Sequence, residues 1–193
     1  SDARELIRQA GAAGPGDPRS KNSARSRRNR EVDAHAPSEA SDRPRIGLST
    51  RDGIGAILGR SDAILHIRDA IKKLADLPAS VLITGDTGTG KELIARALHA
   101  ESERREKPFI PVNCGAIAET LLESELFGYE RGAFTGADRA TRGLFEDAGD
   151  GTLFLDEIGE ISPRLQQVLL RVLESGEIRA IGSTQPRQVH CRV

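Results

Sequence analysis

Hydrophobic positions become regular only from about Ile54 onward. Ser61 fits a helix N-cap, and Ile64, Leu65, Ile67, Ile71 and Leu74 then recur at helical spacing, which predicts a helix to about Asp76 that closes before Pro78. The period then changes. Ser80 to Thr84 (SVLIT) predicts a buried strand, a Gly-rich turn follows it, and Lys91 to Ala100 predicts a helix. A strand at Phe109 to Asn113, a helix around Glu119 to Leu126, a strand at Thr152 to Asp156 and a helix from Pro163 to Glu174 continue the alternation. Glu177 to Ile181 and Gln188 to Val193 read as further strands. Strands that alternate with helices imply right-handed crossovers and a mainly parallel sheet with helices on both faces. No internal repeat is visible.

Gly11 to Ser49 offers little apolar surface, being rich in Ala, Gly, Pro, Ser and Arg, and is expected to be disordered. A helix over residues 2–10 is too short to stand alone. The organisation expected is therefore a tail over residues 1–50 and one α/β core over 51–193.

Charge modifies this picture only locally. The 193 residues carry 28 Lys and Arg against 29 Asp and Glu, so the whole chain gives no case for nucleic acid or membrane binding. Residues 1–50 hold ten basic and seven acidic residues, and Arg19, Lys21, Arg25, Arg27, Arg28 and Arg30 form a run without an acid. That run could touch phosphates or be a solvated linker, and the linker reading is favoured. Apolar runs never exceed three residues, which excludes a membrane span or a signal peptide of the usual type. Cys114 and Cys191 lack CxxC spacing and nearby His clusters, so neither a disulfide framework nor a zinc site is expected, and a cytoplasmic location fits reduced thiols. The chain begins at Ser1, contains no Met and stops at Val193 after an alternating stretch, the expected look of a fragment of a longer protein.

The chemistry-bearing motifs sit at strand ends. Gly85-Asp86-Thr87-Gly88-Thr89-Gly90-Lys91-Glu92 stands between a strand and a helix, the context of a P-loop. Glycines at 85, 88 and 90 let the backbone curl around a polyphosphate, the helix N-terminus adds positive potential, and Lys91 adds a full charge. Glu92 occupies the position where a general P-loop has Ser or Thr to ligate Mg²⁺, so metal binding must draw on a carboxylate elsewhere. Gly151-Thr-Leu-Phe-Leu-Asp156-Glu157 supplies two, at the strand end where open α/β sheets bind ligands. Alternation along a strand predicts different tasks for them, one holding Mg²⁺ and the other orienting or deprotonating the attacking water. Asn113 ends the neighbouring strand; it either restrains Glu157 or satisfies loop backbone. Phe134 lies in Gly132-Ala133-Phe134-Thr135-Gly136-Ala137, where no period places it in a core. It reads as a binding tip, or as an aromatic folded back on its own domain.

Together, GDTGTGKE, GTLFLDEIGE and Phe127-Gly-Tyr-Glu-Arg-Gly-Ala-Phe-Thr-Gly-Ala137 resemble the central AAA+ ATPase domain of sigma-54-dependent transcriptional activators, also called bacterial enhancer-binding proteins. The resemblance runs from about Ile57 to Val193 and includes Asn113-Cys114, Glu123-Ser-Glu-Leu-Phe127 and Gln166-Gln-Val-Leu-Leu-Arg171. It implies an α/β P-loop NTPase of AAA+ type that uses ATP and Mg²⁺, with Lys91 on phosphates, Asp156 on Mg²⁺, Glu157 on water and Asn113 as the switch residue for Glu157. Glu92 is the family's residue after the P-loop lysine. Ile57-Leu58-Gly59 match the segment bordering adenine. The GAFTGA loop, Gly132 to Ala137, is implied to engage sigma-54 RNA polymerase holoenzyme in a hexameric or heptameric ring. Ala180 stands where the family commonly has Arg or Pro, so no subunit-interface role is carried onto it.

In the family the sensor residue, arginine fingers and helical lid follow the last strand seen here, and DNA is contacted through a separate domain. The chain is thus expected to be truncated before the lid and, alone, a weak or inactive ATPase. A nucleotide-dependent regulatory or DNA-binding module that never remodels sigma-54, or a truncated inactive product, are the rival readings.

Overall fold

The computed structural model describes residues 53–193. The tail, its basic run and the helix expected over residues 2–10 lie outside the described residues. Two parallel strands form the centre: β1 (Phe109–Asn113) and β4 (Thr152–Asp156), in register from Phe109 opposite Thr152 to Asn113 opposite Asp156. Residues 191–193 extend this sheet on the far side of β4. Leu153 N–H donates to the Arg192 carbonyl at 2.7 Å, Arg192 N–H to the Gly151 carbonyl at 2.9 Å, and Val81 N–H to the Val193 carbonyl at 3.0 Å.

Alternation along β4 sorts the helices onto two faces. Thr152 meets α2 (Lys91–Ala100), where its Oγ1 hydrogen-bonds His99 Nδ1 at 2.8 Å, and Phe154 stacks on Phe109 on that same side. Leu153 is fully buried on the opposite side with Leu122 and Leu126 of α3 (Glu119–Phe127) and Leu165, Leu169 and Val172 of α5 (Pro163–Ser175). A second cluster joins Ile57, Ala97 and Leu98 to Ile71 of α1 (Asp62–Leu74). Ile64, Ile67 and Leu74 complete the inward stripe of α1, whereas Leu65 is 46% exposed. One residue beyond Ile64 is a 100° turn of the helix, enough to carry Leu65 off the face where it was expected.

Local sequence signals explain the ends. Ser162 caps α5 by accepting from Leu165 N–H, Pro163 opens the helix, and Gly176 closes it in the left-handed region. The C-terminus of α1 is finished from a distance. Arg192, 6% exposed, donates to the carbonyls of Leu74 and Ala75, each at 2.7 Å, and of Ala79 at 3.1 Å, so one guanidinium satisfies groups the helix end leaves open. Burial lowers the pKa of that guanidinium, yet it stays charged at any ordinary pH.

Three expected strands differ in outcome. Ser80–Thr84 keeps the alternation of a strand, with Val81 and Ile83 partly buried and Leu82 78% exposed, but it forms no ladder and is not buried. Its one backbone bond to the sheet among the described residues is that of Val81. The stretch 177–181 shortens to β5 (Glu177–Ile178), because the chain turns away after Ile178 and rejoins backbone pairing at Ile181, opposite Tyr129. The stretch 188–193 divides: Gln188 pairs in β6 (Arg187–Gln188) with β5, and the end of the stretch joins β4. A further hairpin, β2 (Gly128–Tyr129) with β3 (Thr141–Arg142), carries the loop 130–140, and α4 (Leu144–Ala148) links it to β4.

Candidate functional site

The P-loop leads directly into α2. Gly88 has φ 82° and Gly90 φ 88°, both in the left-handed region that glycine alone enters without strain, and Lys91 is the first helical residue. Nothing lies within 4 Å of the point where a Gly88 Cβ would be, so the loop is open there. Thr89 closes the turn through its Oγ1, which donates to the Asp86 carbonyl at 2.7 Å. Lys91 Nζ folds back onto the loop, donating to the carbonyls of Gly85 at 3.1 Å and Asp86 at 3.0 Å. Thr87 is exposed. Glu92 is engaged by Arg96, whose Nε and Nη2 donate to its Oε1 at 3.0 and 2.7 Å while the guanidinium lies 4.9 Å over the Phe109 ring. Glu92 is therefore an ion-paired carboxylate beside the cradle.

Asp156 and Asn113, paired in register, share the C-terminal edge of the sheet. The His99 bond pins the far end of α2 at the first residue of β4, which turns the P-loop end of the helix toward the edge where Asp156 stands. Glu157 no longer belongs to the strand. It has φ 54° and ψ 38°, a left-handed conformation that is costly for a side chain of this size, and it starts the 3₁₀ turn Ile158–Glu160. The two acids are thus separated by a backbone reversal and not by the strand alternation expected. Asp156 Oδ1 accepts from Glu157 N–H at 2.9 Å, which fixes the reversal and leaves Oδ2 for another ligand.

Asn113 stands next to Glu157 but spends its Oδ1 on Ala116 N–H at 2.9 Å, closing the loop after β1. Gly115 is the residue that sequence reasoning missed here. A Cβ on it would lie 2.6 Å from Glu157 Oε2 and 3.5 Å from Asn113 Oδ1, so the carboxylate occupies the space a side chain would need. The spacing Asn-x-Gly was visible; the close approach was not. Cys114 lies between them, buried, its thiol pushed up to about 11 by burial and then by Asp156 and Glu157, which makes it inert as a nucleophile at neutral pH.

Of the residues expected at the adenine, Ile57 is buried in the second cluster, Leu58 is 83% exposed, and Gly59 has φ 131°. Arg68 Nη2 donates to the Ile57 carbonyl and ties the segment to α1.

Gly132 to Ala137 form a closed turn. Gly132 N–H donates to the Ala137 carbonyl at 2.9 Å and Ala137 N–H to the Phe134 carbonyl at 3.0 Å, with Gly132 and Gly136 at positive φ. Ala137 is buried, Ala133 packs under Gly182, and Thr135 and Gly136 are exposed. Phe134 is 46% exposed, with its ring 4.9 Å from that of Tyr129. One side of the ring leans on Tyr129 and the rest faces out. The hairpin below it is tightly crossed, since a Cβ on Gly128 would lie 2.4 Å from the Thr141 carbonyl oxygen and one on Gly143 the same distance from that of Leu126.

A glycine-rich turn with lysine at a helix start, on a sheet whose strand end presents Asp156 and Glu157, defines the class: an α/β P-loop domain of AAA+ type. The chain belongs to the sigma-54 interaction domain family, which matches residues 57–193. It is 53% identical over 137 residues to the transcriptional regulatory protein ZraR of Escherichia coli K12, covering 71% of this chain and 31% of the relative. It is 54% identical over 140 residues to a Nif-specific regulatory protein of Rhodobacter capsulatus, covering 72% and 24%. Among solved structures, NtrX from Brucella abortus superposes with TM-score 0.63 at 36% identity over 70% of this chain and 30% of that one, and NtrX has been solved with ADP and with ATP. The chain therefore spans less than a third of the length of these relatives. No helix among the described residues is long and apolar enough to cross a membrane.

Proposed function

We propose that this chain is the ATP-binding and hydrolysing module of a sigma-54-dependent transcriptional activator, coupling turnover through the Gly132 to Ala137 loop to remodelling of sigma-54 RNA polymerase holoenzyme. In this reading Lys91 leaves the Gly85 and Asp86 carbonyls for the β and γ phosphates, and the backbone of residues 85–90 encloses them. ATP-bound NtrX supports a nucleotide in a fold of this kind. Asp156, an oxygen donor with one atom uncommitted, fits Mg²⁺, which when bound offsets phosphate charge. Glu157 orients or deprotonates the attacking water, Gly115 leaves room for its carboxylate, and Asn113 is its switch residue in this reading. Assembly into a ring, and contact with DNA through a separate domain, are part of the same proposal.

The observation that carries the reading is Phe134, a half-exposed aromatic on a hydrogen-bonded turn of small residues within the same folded unit as a P-loop. Neither Phe134 nor Thr135 has chemistry to offer phosphoryl transfer, whereas an aromatic face and a hydroxyl suit a protein partner. In the parent protein, Phe134→Ala and Thr135→Ala are expected to leave ATPase rates near wild type while abolishing sigma-54 binding, measured with a transition-state nucleotide analogue, and transcription from a sigma-54 promoter. Normal activation by both variants would sink the remodelling assignment.

A further inference from the structure

The feet of the Phe134 loop are closed by a charge network that the motifs do not include. Arg187, on β6, places Nη2 2.5 Å from Glu130 Oε1 and Nη1 2.8 Å from Glu146 Oε1. Glu130 is the residue on which the chain leaves β2 for the loop, and Glu146 is in α4. The other oxygen of Glu146 faces Arg142 Nε at 3.6 Å, and Arg142 is the residue on which the chain has returned from the loop into β3. Arg142 also approaches Asp147 at 3.7 Å and donates from Nη2 to the Glu146 carbonyl at 3.2 Å. The series Glu130, Arg187, Glu146, Arg142 thus alternates in charge and joins the outgoing foot, β6, α4 and the returning foot.

Backbone geometry makes the same connection independently. Glu130 N–H donates to the Ile181 carbonyl, and Ile181 N–H to the Gly128 carbonyl, each at 2.9 Å, so the segment between β5 and β6 runs beside the outgoing foot. A Cβ on Gly182 would lie 2.9 Å from Ala133 Cβ. The α4 helix in turn feeds β4 through a tight bond from Gly151 N–H to the Ala148 carbonyl at 2.7 Å. Arg187 is the member that touches both the loop foot and α4. Its side chain and that of Glu130 are about one-third exposed, while the Glu146 side chain is 15% exposed. The Glu146 arm is the anchored one and the Glu130 arm the one that solvent and salt can release.

We propose that Arg187 is a positioning residue for the Phe134 loop: its two-carboxylate clamp holds the loop foot against α4 and thereby keeps Phe134 on Tyr129. This rests on the functional reading above only for its consequence, the presentation of Phe134 to sigma-54. The position of the loop itself can be read without any partner. Tyr129 is the single tyrosine of the chain, which has no tryptophan, and Phe134 is its ring neighbour, so acrylamide quenching of tyrosine fluorescence reports release of the loop.

The test uses the whole 193-residue chain with Arg187→Gln, Arg187→Lys and Glu130→Gln, and Phe134→Ala as the reference for an uncovered tyrosine. Arg187→Gln and Glu130→Gln are expected to shift the released-to-held ratio about two- to fivefold, the effect that part-exposed ion pairs have. Quenching should then move toward that of Phe134→Ala, and added salt should move wild type the same way. Arg187→Lys, which keeps the charge and loses the fork, should fall between. Quenching at the wild-type level in both Gln variants, with Phe134→Ala clearly raised, would overturn the proposal. Circular dichroism decides whether Arg187→Gln is folded; if it is not, the quenching of Glu130→Gln, which removes only the solvent-facing arm, decides for or against the clamp. In the parent protein, Arg187→Gln is expected to alter sigma-54 binding several-fold at unchanged KM and kcat for ATP. A wild-type parent that fails to bind sigma-54 would count against the functional reading, and the quenching result would still decide the clamp.

Discussion

At the residue scale, the arrangement at the strand end of Asp156 depends on an atom that is missing. Gly115 leaves room for the Glu157 carboxylate, and Glu157 is held on the reversal by its own N–H on Asp156. Adding a methyl group at 115 meets the tip of a long side chain, which moves at small cost, so Gly115→Ala should change stability little. If Glu157 orients the attacking water as proposed, its displaced carboxylate no longer sits where that task requires, and displacement by an ångström is worth about ten- to a hundredfold in rate. The expected outcome in the parent protein is near-normal ATP affinity with turnover lowered by that factor, measured by steady-state hydrolysis. Unchanged turnover would show that the placement of Glu157 beside Gly115 is incidental. The glycine-rich pattern of the P-loop was legible because its chemistry is local. The role of Gly115 was not, because it comes from a residue more than forty positions away folding over it.

Elements repeat this division between local and distant causes. The limits of α2, β1 and β4 follow from period and turn residues, and the bounds expected from sequence are those observed. The exposure of Ser80–Thr84 was not legible, because a run of apolar residues signals a strand without saying how many neighbours it has. The end of α1 depends on Arg192, 117 positions from Ala75, and no propensity rule points there. Arg192→Gln should therefore unfold at a lower urea midpoint. The carbonyls of Leu74 and Ala75 would lose donors where the helix end is covered and water replaces them poorly, a loss of about 1–3 kcal/mol. A variant within about 0.5 kcal/mol of wild type, the range of ordinary surface changes, would contradict this account of the cap. Arg192 also follows Cys191 in the segment paired to β4, so the loss should appear as one cooperative transition and not as fraying of α1 alone.

At the scale of the whole molecule, two apolar clusters share one sheet, and the candidate site draws on both. The P-loop and α2 rest on the cluster of Ile57, Ile71, Ala97 and Leu98, while the strand ending in Asp156 rests on the cluster of Leu122, Leu126, Leu153 and Leu165. Their seam is closed by His99 on Thr152 and by Arg192, around a cavity of about 40 Å³ lined by Val81, Ile83, Leu98, Leu153 and Val193. A nucleotide held by Lys91 at one side and by Asp156 at the other would bind only when both halves are folded together, so it should stabilise the domain as a unit. With Mg-ATP at about 100 times its Kd the gain is about 2.7 kcal/mol. For a domain of this size that corresponds to a rise in Tm of roughly 5–10 °C. Lys91→Ala removes one charge-assisted contact, about 1.5–3 kcal/mol of binding, so at the same nucleotide concentration the rise should shrink to roughly 1–4 °C. Without nucleotide, the variant loses only the Lys91 bonds to the Gly85 and Asp86 carbonyls, which are exposed, so its own Tm should match wild type closely. Differential scanning fluorimetry of both proteins with and without Mg-ATP makes the comparison. An equal rise in the two would mean that the nucleotide does not use Lys91, and the P-loop assignment would fall with it.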